Sequence, residues 1–259
     1  MIAAGLKVVA ATLVLVSVGC SPEGGSASDQ TQPSNAAAGP ATKKVAAADA
    51  KLTLRAKLEF RPIANHSEFA LTLAKGPLPP DITLRMQTIG NLSVVDEAVF
   101  IADDLSTLKA WSADFAQTLP ATMQVAYERI APTKPVTLTD PVHKGWQLHF
   151  VRTDDGFAAQ GATGRLRRAT YQDILEILVD LTKEDGKRFG DLSGRLVDRK
   201  LAIVMGDRVL SAPTVRERID GGSIMVTPGA ADGGRAAQEL LAKLAGVPAS
   251  EVRVPDSSD

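Results

Sequence analysis

The chain of 259 residues holds a single cysteine, Cys20. No disulfide can close within it, and no metal site built on several thiolates can form. Aromatic residues are scarce at 4%, too few for the stacking platforms that bind single-stranded nucleic acid. Neither sign of charge is in excess. The formal net charge is −1, so there is no field to draw a polyanion, and nucleic acid is not expected as a partner. The three histidines, His66, His143 and His149, never stand at HxH or HxxxH spacing. They read as surface or strand-edge residues rather than metal ligands. Ser211 lies in Leu-Ser-Ala-Pro, so the Gly-x-Ser-x-Gly nucleophile elbow is missing. Gly221-Gly222 lacks the Lys-Ser/Thr of a phosphate loop. The carboxylate pairs Asp103-Asp104 and Asp154-Asp155 sit at expected turns or helix starts, where capping accounts for them. The expectation is a protein that is not an enzyme and takes no cofactor or metal.

Long apolar runs are also missing. A membrane-spanning helix needs about 20 apolar residues, and nothing after residue 20 approaches that. Residues 1–20 have one charge, Lys7, then a short apolar core and a small-residue exit at Gly19-Cys20. That is the pattern of an export signal. A cysteine at this point resembles a lipoprotein lipobox, which implies lipidation at Cys20 and a membrane anchor. The other reading is a plain secretory signal with an incidental cysteine. A free thiol is a poor group to expose in an oxidising compartment, which favours lipidation. Ser21 after the cysteine tilts the expected location toward the outer membrane. Residues 21–50 are Ser, Gly, Ala, Pro and Gln with few large apolar side chains, and read as a flexible tether.

The fold begins with alternation. Leu52, Leu54, Ala56, Leu58 and Phe60 share one side and predict a strand that Pro62 ends. Phe69, Leu71 and Leu73 alternate again, and strands are expected near 82–86 and 98–101. Leu105, Leu108, Trp111 and Phe115 recur at helical spacing, with Asp103 or Asp104 as cap. Further strands fall at 123–127 and 146–150, with a return strand from Phe157. Residues 175–181 fit a strand or a helix by period alone. Thr182, with Asp185 three residues on, is a capping-box pattern, so a strand and then a helix over 183–193 is expected. Gly206-Asp207 between two β-rich runs predicts a two-residue hairpin of type II′, ended by Pro213. That hairpin is expected in one sheet with the 175–181 strand. Gly221-Gly222 releases the chain into a strand at 224–226. A last helix from Asp232 would present Ala236, Leu240, Leu241 and Leu244, with Gly246 as its stop. The expected class is α+β, with mixed and antiparallel sheets and helices packed on one face.

Three segments in order carry a resemblance: Leu181-Thr-Lys-Glu-Asp-Gly-Lys-Arg-Phe189, the run from Lys200 through Gly206-Asp207 to Ser211-Ala-Pro213, and Ile219-Asp-Gly-Gly-Ser-Ile-Met-Val226. Together they resemble the head of the first periplasmic domain of SecD, the bacterial export component. Leu58-Glu-Phe-Arg-Pro62 is similar to a strand of that domain's base. The family usually has Asp-Gly at the hairpin tip, and this chain has Gly206-Asp207. SecD carries its periplasmic domain on a membrane bundle that couples to protons. Nothing here supplies one, so the chain by itself is no proton-driven motor. The resemblance implies a base-like region over 51–134, a head-like domain over 135–228, and a C-terminal helix and tail over 229–259. It also implies a tethered binding module that contacts translocated, unfolded polypeptide or the Sec translocon. The alternative is a structural lipoprotein that keeps the fold without the export role.

Overall fold

The computed structural model describes residues 51–90, 94–130, 145–169, 174–227 and 234–255. In chain order they form β1 (Leu52–Thr53), β2 (Leu58–Pro62), α1 (Glu68–Leu73), β3 (Thr83–Ile89), β4 (Val95–Ala102) and α2 (Leu105–Phe115). Next come β5 (Met123–Ile130), β6 (Gly145–Arg152), β7 (Phe157–Ala159), β8 (Thr163–Arg168), β9 (Leu175–Asp180) and α3 (Lys183–Arg195). β10 (Leu201–Met205), β11 (Arg208–Ser211), β12 (Ser223–Val226), α4 (Arg235–Ala245) and a short 3-10 helix (Ala249–Glu251) complete them. The class is α+β. Eight strands join in the order β3-β4-β6-β5-β11-β10-β2-β7, and four in the order β1-β8-β9-β12. β5 and β11 pair in parallel, at Arg208 opposite Tyr127 and Val209 opposite Glu128.

Alternation along the strands assigns the two faces of the large sheet. Phe100, Leu148, Phe150 and Tyr127 turn toward α1 and α2 and build one core with Leu108, Trp111 and Phe115. Leu58, Phe60, Leu201 and Ile203 continue that face into a second core with α3, α4 and the small sheet. At its centre Phe60 is fully buried, with Phe157 and Phe189 each 5.1 Å away between ring centroids. The opposite face holds a third cluster, Ile63, Ala126, Val151, Ala202, Val204 and Val209, which no helical residue among the described residues joins. The helices of the large sheet therefore share one face.

Several expectations are corrected. The strand expected over 52–60 is two strands in two different sheets. Between them the N–H groups of Arg55 and Ala56 donate to the Leu244 carbonyl at 2.8 and 2.9 Å, which carries the chain across under the end of α4. Phe69, Leu71 and Leu73 lie in α1, not a strand. Ser67 caps that helix, its Oγ accepting from the Ala70 N–H. Phe69 stacks edge-on against Phe150. The hairpin β10–β11 and β9 are in different sheets, because β9 is already filled on both sides by β8 and β12. β7 returns onto β2 rather than β6. Asp104 occupies the N-cap of α2 without a side-chain hydrogen bond. Asp232 and His143 lie outside the described residues, and α4 starts after Gly234.

Candidate functional site

Helix α3 carries glycine at every fourth position: Gly186, Gly190 and Gly194. Four residues is nearly one turn, so the three form a bare stripe on one side of the helix. The segment 218–222, a strap between β11 and β12, lies flush on that stripe. A Cβ on Gly186 would stand 3.2 Å from the Gly222 Cα. One on Gly190 would meet an Asp220 carboxylate oxygen at 2.8 Å and the Ile219 carbonyl at 3.4 Å. Ser193, fully buried, fastens the contact. Its Oγ accepts from the Ile219 N–H at 2.9 Å and donates to the Gly190 carbonyl at 3.1 Å. Arg218 spans to Asp191 at 3.0 Å and Asp220 at 2.6 Å. These are half-exposed ion pairs, and such pairs contribute little to stability.

The start of α3 is held from the other side. Thr182 accepts from the Asp185 N–H at 3.2 Å, as the capping-box pattern requires. The reciprocal bond is not made. The buried Asp185 carboxylate instead accepts from the Gln160 N–H at 2.7 Å, and so ties α3 to the loop before β8. A cleft of about 340 Å³ opens where the first two turns of α3 meet the strap, with Lys183, Lys187, Arg218, Asp220 and Gly221 in its wall.

Immediately after Gly222 comes β12, the outer strand of the small sheet. The Leu181 N–H donates to the Gly222 carbonyl at 2.8 Å, which sets the phase of the ladder. Gly222, Ile224 and Val226 face β9, and the N–H and C=O of Ser223 and Met225 point off the sheet. No described strand pairs with this edge. It carries no charge, no proline and no bulge, the usual guards of a free edge, and is kept safe only by its length of four residues.

The second polar concentration lies on the helix-free face of the large sheet. Glu97, fully buried, accepts from Lys200 Nζ at 2.8 Å and Gln87 Nε2 at 3.0 Å through one carboxylate oxygen. Nearby, Glu128 accepts from His149 Nε2 at 2.8 Å and from the Gln147 amide. Burial pushes the Glu128 carboxyl up. The bonds from His149 and Gln147 and the charge of Lys200 more than offset this, leaving it below the ordinary carboxylate range. Asn65 sets the His149 tautomer. Its Oδ1 accepts from the Phe150 N–H at 2.8 Å, so its Nδ2 must donate, and it faces His149 Nδ1 at 3.3 Å. His149 is thus a core residue with 1% exposure, not the surface or strand-edge histidine its sequence setting suggests. The network fastens β4, β5 and β6 to the start of β10, and no three carboxylate or imidazole groups among the described residues are grouped to hold a metal.

Residues 161–246 match the family described as SecDF, P1 head subdomain. This part of the chain is SecD head-like. The glycine stripe, the strap, the cleft and the β12 edge all fall inside that match. Two solved structures are similar over more of the chain. One is "Crystal structure of SecDF in Super-membrane-facing form", at 17% identity and TM-score 0.30, covering 80% of this chain and 31% of that one. The other is "Structure and function of a membrane component SecDF that enhances protein export", at 16% and 0.31, covering 76% of this chain and 99% of that one. This chain therefore spans about a third of the first. No described helix is long and apolar enough to cross a membrane.

The residues singled out in the sequence fall in two separate places. At the hairpin tip Gly206 has φ 65° and Asp207 does not share the positive φ. The Asp207 carbonyl accepts from the Tyr127 N–H at 2.8 Å, and its carboxylate pairs with Lys109 at 2.6 Å. Pro213 closes β11, its carbonyl accepting from the Leu201 N–H at 3.0 Å. Gly221 and Gly222 are on the strap, where Gly222 has φ 64°. Cys20 lies outside the described residues. Sequence reading passed over the stripe on α3, whose signal was the repeat of glycine at every fourth residue. It also passed over Glu97, a charged residue at the head of the apolar run Ala98–Ala102 of β4.

Proposed function

We propose that the chain is an extracytoplasmic module, tethered through Cys20 and residues 21–50, that holds extended polypeptide in the course of protein export. The head takes the polypeptide by strand addition at β12. The single observation that carries this reading is the open edge of β12 within the SecDF P1 head match, with two residues turning their backbone donors and acceptors outward. Main-chain pairing reads no side chain, so binding is tolerant of sequence. A short edge and a partner that must be ordered keep it weak.

The test uses the full chain against reduced, unfolded model proteins and against the same proteins folded. Binding is expected only to the unfolded forms. Met225→Pro removes an outward N–H while leaving the β9 ladder intact, and abolishes that binding without loss of fold. Equal binding to both forms, or none, overturns the reading. In a second arm, Cys20→Ser moves the protein from the membrane to the soluble extracytoplasmic fraction. A variant that stays with the membrane overturns the tether.

A further inference from the structure

The wall of the cleft beside β12 is charged in a way the fold does not use. Lys183 and Lys187 are both exposed and, among the described residues, neither has an ion-pair partner. They stand four apart on α3, where like charges repel. Lys183 opens the helix, where a cation is disfavoured by the helix dipole. Arg218 and Asp220 also line the cleft, but they pair with each other and Arg218 pairs with Asp191 as well, so the uncompensated charge of the wall is that of the two lysines. The floor is bare backbone: a Cβ at Gly221 would meet nothing within 4 Å, and Gly222 follows with φ 64°. A visiting main chain can lie close on such a floor. The strap runs straight into β12, so a strand added at Ser223 and Met225 would continue past Gly222 into this cleft.

We propose that the cleft is a carboxylate site. It receives an acidic side chain of an extended polypeptide paired on β12, between Lys183 and Lys187. This rests on the strand-addition reading and adds a preference to it: clients with an acidic residue at one end of the paired stretch are held best. A net charge of −1 gives the whole protein no attraction for such a client, so the preference is local and short in range.

The test compares two unstructured, C-terminally amidated peptides, one neutral and one with a Glu-Glu pair at one end. Each is titrated into the full chain and into the Lys183→Gln/Lys187→Gln variant. Both lysines are solvent-facing, so the variant keeps its melting temperature. The wild type should bind the acidic peptide about 3- to 10-fold tighter than the neutral one, the range expected for two partly exposed ion pairs. The preference should fade at high salt and vanish in the double variant, with neutral-peptide affinity unchanged. Equal affinity for the two peptides, or a preference that survives the double substitution, overturns the carboxylate site and leaves strand addition standing. If neither peptide binds, both readings are overturned.

Discussion

Lys200→Met should destabilise the fold by about 3–5 kcal/mol, the usual effect of removing one partner from a buried ion pair. Glu97 is fully buried, and Lys200 donates to its Oε2 at 2.8 Å while itself only 15% exposed. Gln87 Nε2 shares that oxygen, and Oε1 has no partner among the described residues. Methionine fills the space of the lysine stem and brings no charge. What remains is a carboxylate in the interior with one neutral donor, a charge the fold no longer compensates. Adding Glu97→Gln to Lys200→Met removes the stranded charge and should recover most of the loss. Urea melts of the two single variants and the double give the coupling directly. A loss below about 1 kcal/mol in Lys200→Met, on the scale of a surface pair, would mean that water reaches Glu97.

Phe60→Ala should cost about 3–5 kcal/mol, as large-to-small changes of buried aromatic residues do. Phe60 touches Phe157 of β7 and Phe189 of α3, each at 5.1 Å between centroids, and lies on the central side of β2 beside Ile203. Deleting the ring opens a void where strand, returning strand and helix meet, and none of the three can close it alone. Phe60→Leu fills much of that volume and should cost distinctly less. If the two variants melt together, the site collapses freely and the aromatic cluster is not what joins α3 to the large sheet.

The sequence was most informative where local chemistry and burial agreed. The strand of Leu175, Ile177 and Val179 and the helix begun at Thr182 were both legible, because a capping residue broke the tie that periodicity left open. The hairpin at Gly206-Asp207 was legible for a similar reason, since the turn demands a residue with positive φ. Partners across sheets were not. Nothing in Leu52 to Phe60 says that the chain changes sheets midway, for both halves have the same alternation and the switch is made by the Leu244 carbonyl far along the chain. Phe69, Leu71 and Leu73 misled because three residues fit a period of two as well as part of a helical turn, and Ser67 was the cue that mattered. The SecD-like motifs foretold the head, where the strap and helix are set by glycines. The polar network around Glu97 and His149 left no motif, because its members come together only when β3, β4, β5, β6 and β10 are laid side by side.

Three glycines in a helix of 13 residues leave α3 with little ability to exist alone. Each glycine weakens a helix by about 1 kcal/mol relative to alanine, and helices of this length are marginal in water even without them. The stripe that admits the strap therefore makes the helix dependent on it. Helix and strap should open as one cooperative unit, and the buried tie from Ser193 to the Ile219 N–H should be lost in the same event as the turns around Gly190. Amide hydrogen exchange can see this: the protected amides of α3 and the Ile219 amide should share one opening free energy and one denaturant dependence. A helix whose amides outlast that of Ile219 would show that α3 stands without its strap.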